Sequence, residues 1–165
     1  LIGDALLNCA YETLFQFSKD YNQYIAIASY ISKKAGAIGM IGGQVKDIQG
    51  LIPQNIEQIL EIYDGKTCAL FEAAIVSPAI CLNFPSVKFF KIERFSNIVG
   101  KIFQINDDFL DYHHKSEKIN IIKIIGEDNT NILFNDLKKE LYILAEQLNL
   151  NDSLMWKFIR KLLNI

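Results

Sequence analysis

The sequence predicts an all-α protein, and three observations carry that prediction. Apolar residues return at helical spacing in Phe95, Ile98, Val99, Ile102 and Phe103, the stripe of a core-facing helix. They do so again in Leu133, Leu137, Leu141, Leu144 and Leu148. No stretch alternates apolar and polar residues as a half-buried strand would, and no hairpin signal separates two such runs.

The elements follow in order. Leu1 to about Phe17 is apolar and rich in helix formers, and Ser18-Lys19-Asp20 ends it. Tyr21 to about Ile48 predicts a second, longer helical segment. Pro53 suits the first turn of a third, with Ile56, Ile59, Leu60 and Tyr63 on one face. Asp64-Gly65 interrupts that helix, which resumes from Lys66 until Pro78. Asn83-Phe84-Pro85 starts a long helix that runs to about Tyr112. Residues 113–130 are polar and turn-prone, a candidate mobile loop. The leucine ladder then forms an amphipathic helix, and Asn151 can cap a short last one bearing Leu154, Phe158, Ile159, Leu162 and Leu163.

At 165 residues the chain can form one domain, 1–165, with a sizeable core. It is 50% hydrophobic and 22% charged with a net charge of -2, so no basic face for nucleic acid is offered. Cys9, Cys68 and Cys81 fit neither a disulfide framework nor a zinc motif, and they suit a reducing, cytoplasmic setting. Charges cut the longest apolar stretches, as at Lys33-Lys34 and Lys46-Asp47, so no membrane span is predicted. The chain starts at Leu1 inside a running helix, which predicts a fragment lacking its N-terminal portion.

The richest run is Phe103-Gln104-Ile105-Asn106-Asp107-Asp108-Phe109-Leu110-Asp111. Stepping by fours from Phe95 passes through Val99 and Phe103 to Asp107 and Asp111, which predicts carboxylates on the core-facing side of the helix. Buried acids need a partner, and nothing basic follows until Lys115, so a divalent cation is the natural one. An isolated run of this kind is more often a solvated helix end.

Other groups weigh less alone. The glycines of Ala35-Gly36-Ala37-Ile38-Gly39-Met40-Ile41-Gly42-Gly43-Gln44 lack dinucleotide-binding spacing and a preceding strand. Close helix–helix or backbone–ligand approach explains them better. Gln44 and Asp47 lie one turn apart and can share a cavity. Lys66-Thr67, after the Asp64-Gly65 break, offers a cation, a hydroxyl and backbone N–H groups to a phosphate. Asp111 and His114 form an Asp-x-x-His pair, but His113 and His114 are the only histidines, too few for a di-metal bundle.

Together these pieces resemble the C-terminal half of a trans-type isoprenyl diphosphate synthase of the polyprenyl synthetase family, nearest the bacterial farnesyl and geranylgeranyl synthases. Leu1-Ile2-Gly3-Asp4-Ala5-Leu6-Leu7 resembles the helix after the family's first aspartate-rich motif, and Gly42-Gly43-Gln44 with Asp47 resembles its GGQxxD. Lys66-Thr67 resembles its KT pair, and Phe103-Gln104 with Asp107, Asp108 and Asp111 its FQxxDDxxD. Lys123, Gly126 and Asp128 resemble a later KxxGxD loop.

The resemblance implies an isoprenoid-synthase helical bundle that condenses isopentenyl diphosphate with an allylic diphosphate using Mg2+. It implies Asp107 and Asp111 as metal ligands with Asp108 in support, and Asp47 acting through metal-bound water. Lys66, Thr67 and Gln104 would contact the allylic diphosphate and reacting carbons, with Gln44 lining the cavity and Lys123 binding diphosphate. It also implies a homodimer or heterodimer. Two departures stand out. The family's first aspartate-rich motif is absent, as expected of a chain that starts beyond its place, and Asn129-Thr130-Asn131-Ile132 stands where the family has KxTYP. These departures predict that the chain alone is inactive, and keep open a non-catalytic subunit that pairs with an active synthase.

Overall fold

The structure is a computed structural model that describes residues 1–19, 21–49, 52–113 and 119–165, and of Gln23 the backbone alone. Among the described residues it is helical, without strand. The helices are α1 (Ile2–Ser18), α2 (Gln23–Ala35), α3 (Met40–Gln49), α4 (Ile56–Tyr63), α5 (Ala69–Cys81), α6 (Ser86–Asp111), α7 (Ile121–Ile125), α8 (Glu127–Gln147) and α9 (Leu154–Leu163). A π turn over Asp64–Cys68 joins α4 to α5. Among the described residues no helix is long and apolar enough to cross a membrane.

Helix α6 is the axis of the bundle. Its Phe95, Ile98, Val99, Ile102 and Ile105 are fully buried, and α5, the π turn, α8 and α9 pack around it. Phe95 meets Trp156 of α9 with ring centroids 6.0 Å apart, and Asn106 Nδ2 donates to the Leu163 carbonyl at 2.8 Å. Arg94 grips Glu140 of α8 through two hydrogen bonds of 2.7 Å each. At the other edge α2 packs along α5, and α1 packs along α2 with no buried residue of its own.

Several predicted boundaries move. The segment expected over 21–48 is two helices, because the chain turns at residues 36–39. There Gly39 sits so close to the Lys34 carbonyl that a Cβ would lie 2.0 Å from its oxygen. The third helix starts at Ile56 rather than Pro53, with Asn55 Oδ1 accepting from Gln58 N at 2.9 Å as its cap. Pro53 is buried just ahead of it. Asp64-Gly65 does not break the helix, since the π turn carries it into α5, and Pro78 is accommodated inside α5 rather than ending it.

The predicted loop over 113–130 contains α7, capped by Asn120, and the first turn of α8. Residues 114–118, with His114 and Lys115, lie outside the described residues, as does Asp20. The cap of α9 is Ser153, whose Oγ accepts from Trp156 N at 3.1 Å, and not Asn151.

Candidate functional site

Three glycines let helices approach closely enough to assemble a site around the π turn. A Cβ on Gly43 of α3 would lie 2.1 Å from Lys66 N, and one on Gly65 would lie 2.8 Å from Gly43 Cα. A Cβ on Gly100 of α6 would lie 2.7 Å from Cys68 Cα. The π turn is therefore wedged between α3 and α6 at backbone contact.

That wedge brings most of the expected polar residues together. Lys66 Nζ pairs with Asp47 Oδ2 at 2.9 Å, linking the turn to α3. Thr67 Oγ1 bonds Gln104 Oε1 at 2.5 Å, linking it to α6. Gln104 Nε2 donates onward to Asp108 Oδ1 at 3.0 Å. Gln44 lies on α3 one turn before Asp47, with an exposed side chain.

The three aspartates divide differently from the expectation. Asp108, not Asp107, is the carboxylate that faces inward, and it is only 4% exposed. Its Oδ2 accepts from the Tyr63 hydroxyl and from Ile121 N, the latter at 2.6 Å. Its backbone carbonyl accepts from Asn120 Nδ2 at 2.8 Å. Burial pushes its carboxyl above the ordinary aspartate value, opposed by those donors and by positive Lys66. Burial, then the nearby Asp108 charge, raises the Tyr63 hydroxyl, which stays a protonated donor.

Asp107 is exposed and Asp111 half-buried one helical turn later. For Asp107 the physical reason is helical drift. Stepping by fours in a 3.6-residue helix rotates about 40° per step, so three steps from Phe95 carry Asp107 about 120° off the core line. Phe103 is already at the edge, half-buried against Phe71 with centroids 5.2 Å apart.

Among the described residues no group of three or more His, Cys, Asp and Glu comes together to hold a metal. Asp107 and Asp111 are the carboxylates that could hold a hard divalent cation jointly with a substrate. Mg2+ takes one or two carboxylates, keeps waters and completes its shell with substrate phosphate oxygens. Asp108 already accepts from protein donors, two on Oδ2 and Gln104 Nε2 on Oδ1.

Lys123 lies exposed on α7, two residues after the Ile121 amide that binds Asp108. Gly126 has φ +83° and opens α8, which places Asp128 exposed in that helix's first turn. Residues 129–132 are therefore helical rather than a flexible loop. His113 is exposed beside Tyr112.

Sequence reasoning missed Tyr63 and Asn120. Tyr63 read as one more apolar position, and only its place three residues before Lys66 hinted at more. Asn120 had a signal in view, a capping residue before Ile121-Ile122.

The polyprenyl synthetase family matches residues 1–135. Farnesyl diphosphate synthase of Micrococcus luteus is 33% identical over 132 residues, 79% of this chain and 45% of that enzyme. Chloroplastic geranylgeranyl pyrophosphate synthase of Capsicum annuum is 32% identical over 132 residues, 78% of this chain and 35% of the relative. The matched segment thus spans less than half the length of these relatives.

Among solved structures, a geranyltransferase from Helicobacter pylori complexed with magnesium and isoprenyl diphosphate superposes with a TM-score of 0.80 at 25% identity. The match covers 99% of this chain and 58% of that one. A synthase from Zymomonas mobilis gives 0.83 at 21% identity over 97% and 59%, a likeness of fold. With the family matched over most of its residues, the chain is a member of the polyprenyl synthetase family.

Proposed function

We propose that this chain carries the diphosphate-binding face of a Mg2+-dependent prenyltransferase that joins isopentenyl diphosphate to an allylic diphosphate. The observation that carries the reading is the linked set Asp47–Lys66 and Thr67–Gln104–Asp108, drawn from three elements around one π turn. A cation, a hydroxyl and an amide gathered this way suit a polyanionic leaving group.

In this reading Lys66 exchanges its contact with Asp47 for diphosphate oxygen, and Thr67 and Gln104 orient the allylic end. Asp107 and Asp111 hold the metal jointly with the substrate, and Lys123 approaches the diphosphate from α7. Mg2+, when bound, supplies the positive charge that offsets the charge gathering on departing diphosphate. Neighbouring Phe71 and Phe103 present apolar surface that excludes water from an allylic cation. The family resemblance further supports a dimeric, cytoplasmic enzyme.

The test is calorimetry of Mg2+ binding with and without a non-hydrolysable allylic diphosphate analogue. Two carboxylates leave most of an octahedral shell to water, so Mg2+ alone should bind weakly and tighten at least tenfold with the analogue. Equal affinity in both titrations would remove the shared metal site.

A further inference from the structure

A second polar cluster brackets the π turn, and no step of the proposed chemistry uses it. Asn97 of α6 donates from Nδ2 to Asp64 Oδ1 at 2.8 Å and to Glu72 Oε1 at 3.0 Å. Both partners are acceptors, so the amide nitrogen must face them. Lys101 Nζ balances Asp64 at 3.0 Å, and Lys34 Nζ pairs with the second oxygen of Glu72. The side chains of Lys101 and Glu72 are only 11% and 13% exposed, so the cluster is shielded enough for its geometry to matter.

Asp64 is the first residue of the π turn, and Glu72 lies four residues past its last. In a regular α-helix, residues eight apart point about 80° away from each other. A π turn absorbs one extra residue, so the same two behave as a pair seven apart, misaligned by only about 20°. One short amide can reach both carboxylates in the second register and is poorly placed for both in the first. Loss of the extra residue's accommodation would rotate Lys66 and Thr67 relative to α5 by up to about 100°.

We infer that Asn97 is a positioning residue that selects the π register and thereby holds Thr67 against Gln104 and Lys66 beside Asp47. The register that Asn97 selects is independent of the proposed function, whereas the effect on ligand binding rests on it. The sequence contains three threonines, Thr13, Thr67 and Thr130, which makes methyl spectroscopy of threonine-labelled chain a direct readout.

In Asn97→Leu the Thr67 methyl signal should move while those of Thr13 and Thr130 stay. Affinity for inorganic diphosphate with Mg2+ should fall about tenfold. Arg94→Met breaks a different α6 ion pair, that with Glu140, and should leave the Thr67 signal in place. Should Asn97→Leu fail to fold, Asn97→Ser is read in its place, since its hydroxyl is too short to bridge both carboxylates.

A Thr67 methyl unmoved in the folded variant, or moved equally by Arg94→Met, overturns the inference. A moved methyl with unchanged diphosphate affinity upholds the inference. That outcome would instead sink the assignment of Lys66 and Thr67 to diphosphate.

Discussion

At the scale of single residues, the buried Asp108 shows how the site constrains itself. Its carboxylate takes hydrogen bonds from Tyr63, Gln104 and Ile121, so three elements meet on one acidic side chain. Removing one donor leaves a buried acceptor short, which costs about 1–3 kcal/mol. Tyr63→Phe should therefore lower stability by about that much, read as a shift in urea midpoint at unchanged slope. Tyr30→Phe is the matched control, because the Tyr30 hydroxyl is buried with no partner among the described residues. Its loss should be neutral or stabilising, and equal costs for the two would deny Asp108 its anchoring role. The sequence made the motif legible here, since Asp107, Asp108 and Asp111 lie within five consecutive residues. It hid which acid turns inward, because apolar spacing by fours drifts off a 3.6-residue helix. Had the count begun from Ile98, Lys101 and Ile105, all buried, it would have arrived at Asp108.

At the scale of elements, the all-α architecture and most helix spans followed from periodicity, which is a local property. The π turn did not, because Asp64-Gly65 has the composition of a break. The close packing of Gly43 and Gly100 against the turn, which composition does not reveal, keeps the chain helical there. Gly43→Ala should force α3 off the π turn, since its Cβ would fall 2.1 Å from Lys66 N. Overpacking of this kind costs about 1–3 kcal/mol. Gly3→Ala, at a position with open space, should be tolerated. Similar thermal midpoints for the two variants would refute the close crossing.

The same scale holds a pH effect. Arg94 lowers the Glu140 carboxyl below its ordinary value by hydrogen bonding, so the pair stabilises the fold above the unfolded carboxyl's pKa. That contribution is lost as pH falls through the folded value. Both side chains are well exposed, which limits the gain to about 0.2–1 kcal/mol. Glu140→Gln should show a shallower loss of stability between about pH 5 and 3 than the parent. Parallel acid limbs for the two proteins would exclude the pair as a contributor.

For the molecule as a whole, the decisive feature is the set of large apolar side chains left exposed along α1–α3. Helix α1 buries no residue, and Leu6, Phe15, Ile25, Ile41, Val45 and Ile48 of α1–α3 are all large, apolar and exposed. Scattered exposed hydrophobics are ordinary, but several on consecutive packed helices mark a surface that water solvates poorly. The cost of that exposure is about 25 cal/mol for each Å² of apolar area, so covering even part of it favours association. Purified 1–165 should therefore show a weight-average mass that rises with concentration in sedimentation velocity. Ile25→Ser with Ile41→Ser and Ile48→Ser should lower that mass while leaving the α6-centred core folded, because none of the three is buried. A parent chain that stays monomeric at tens of micromolar, or a triple variant that associates as strongly, would show that this face does not drive assembly.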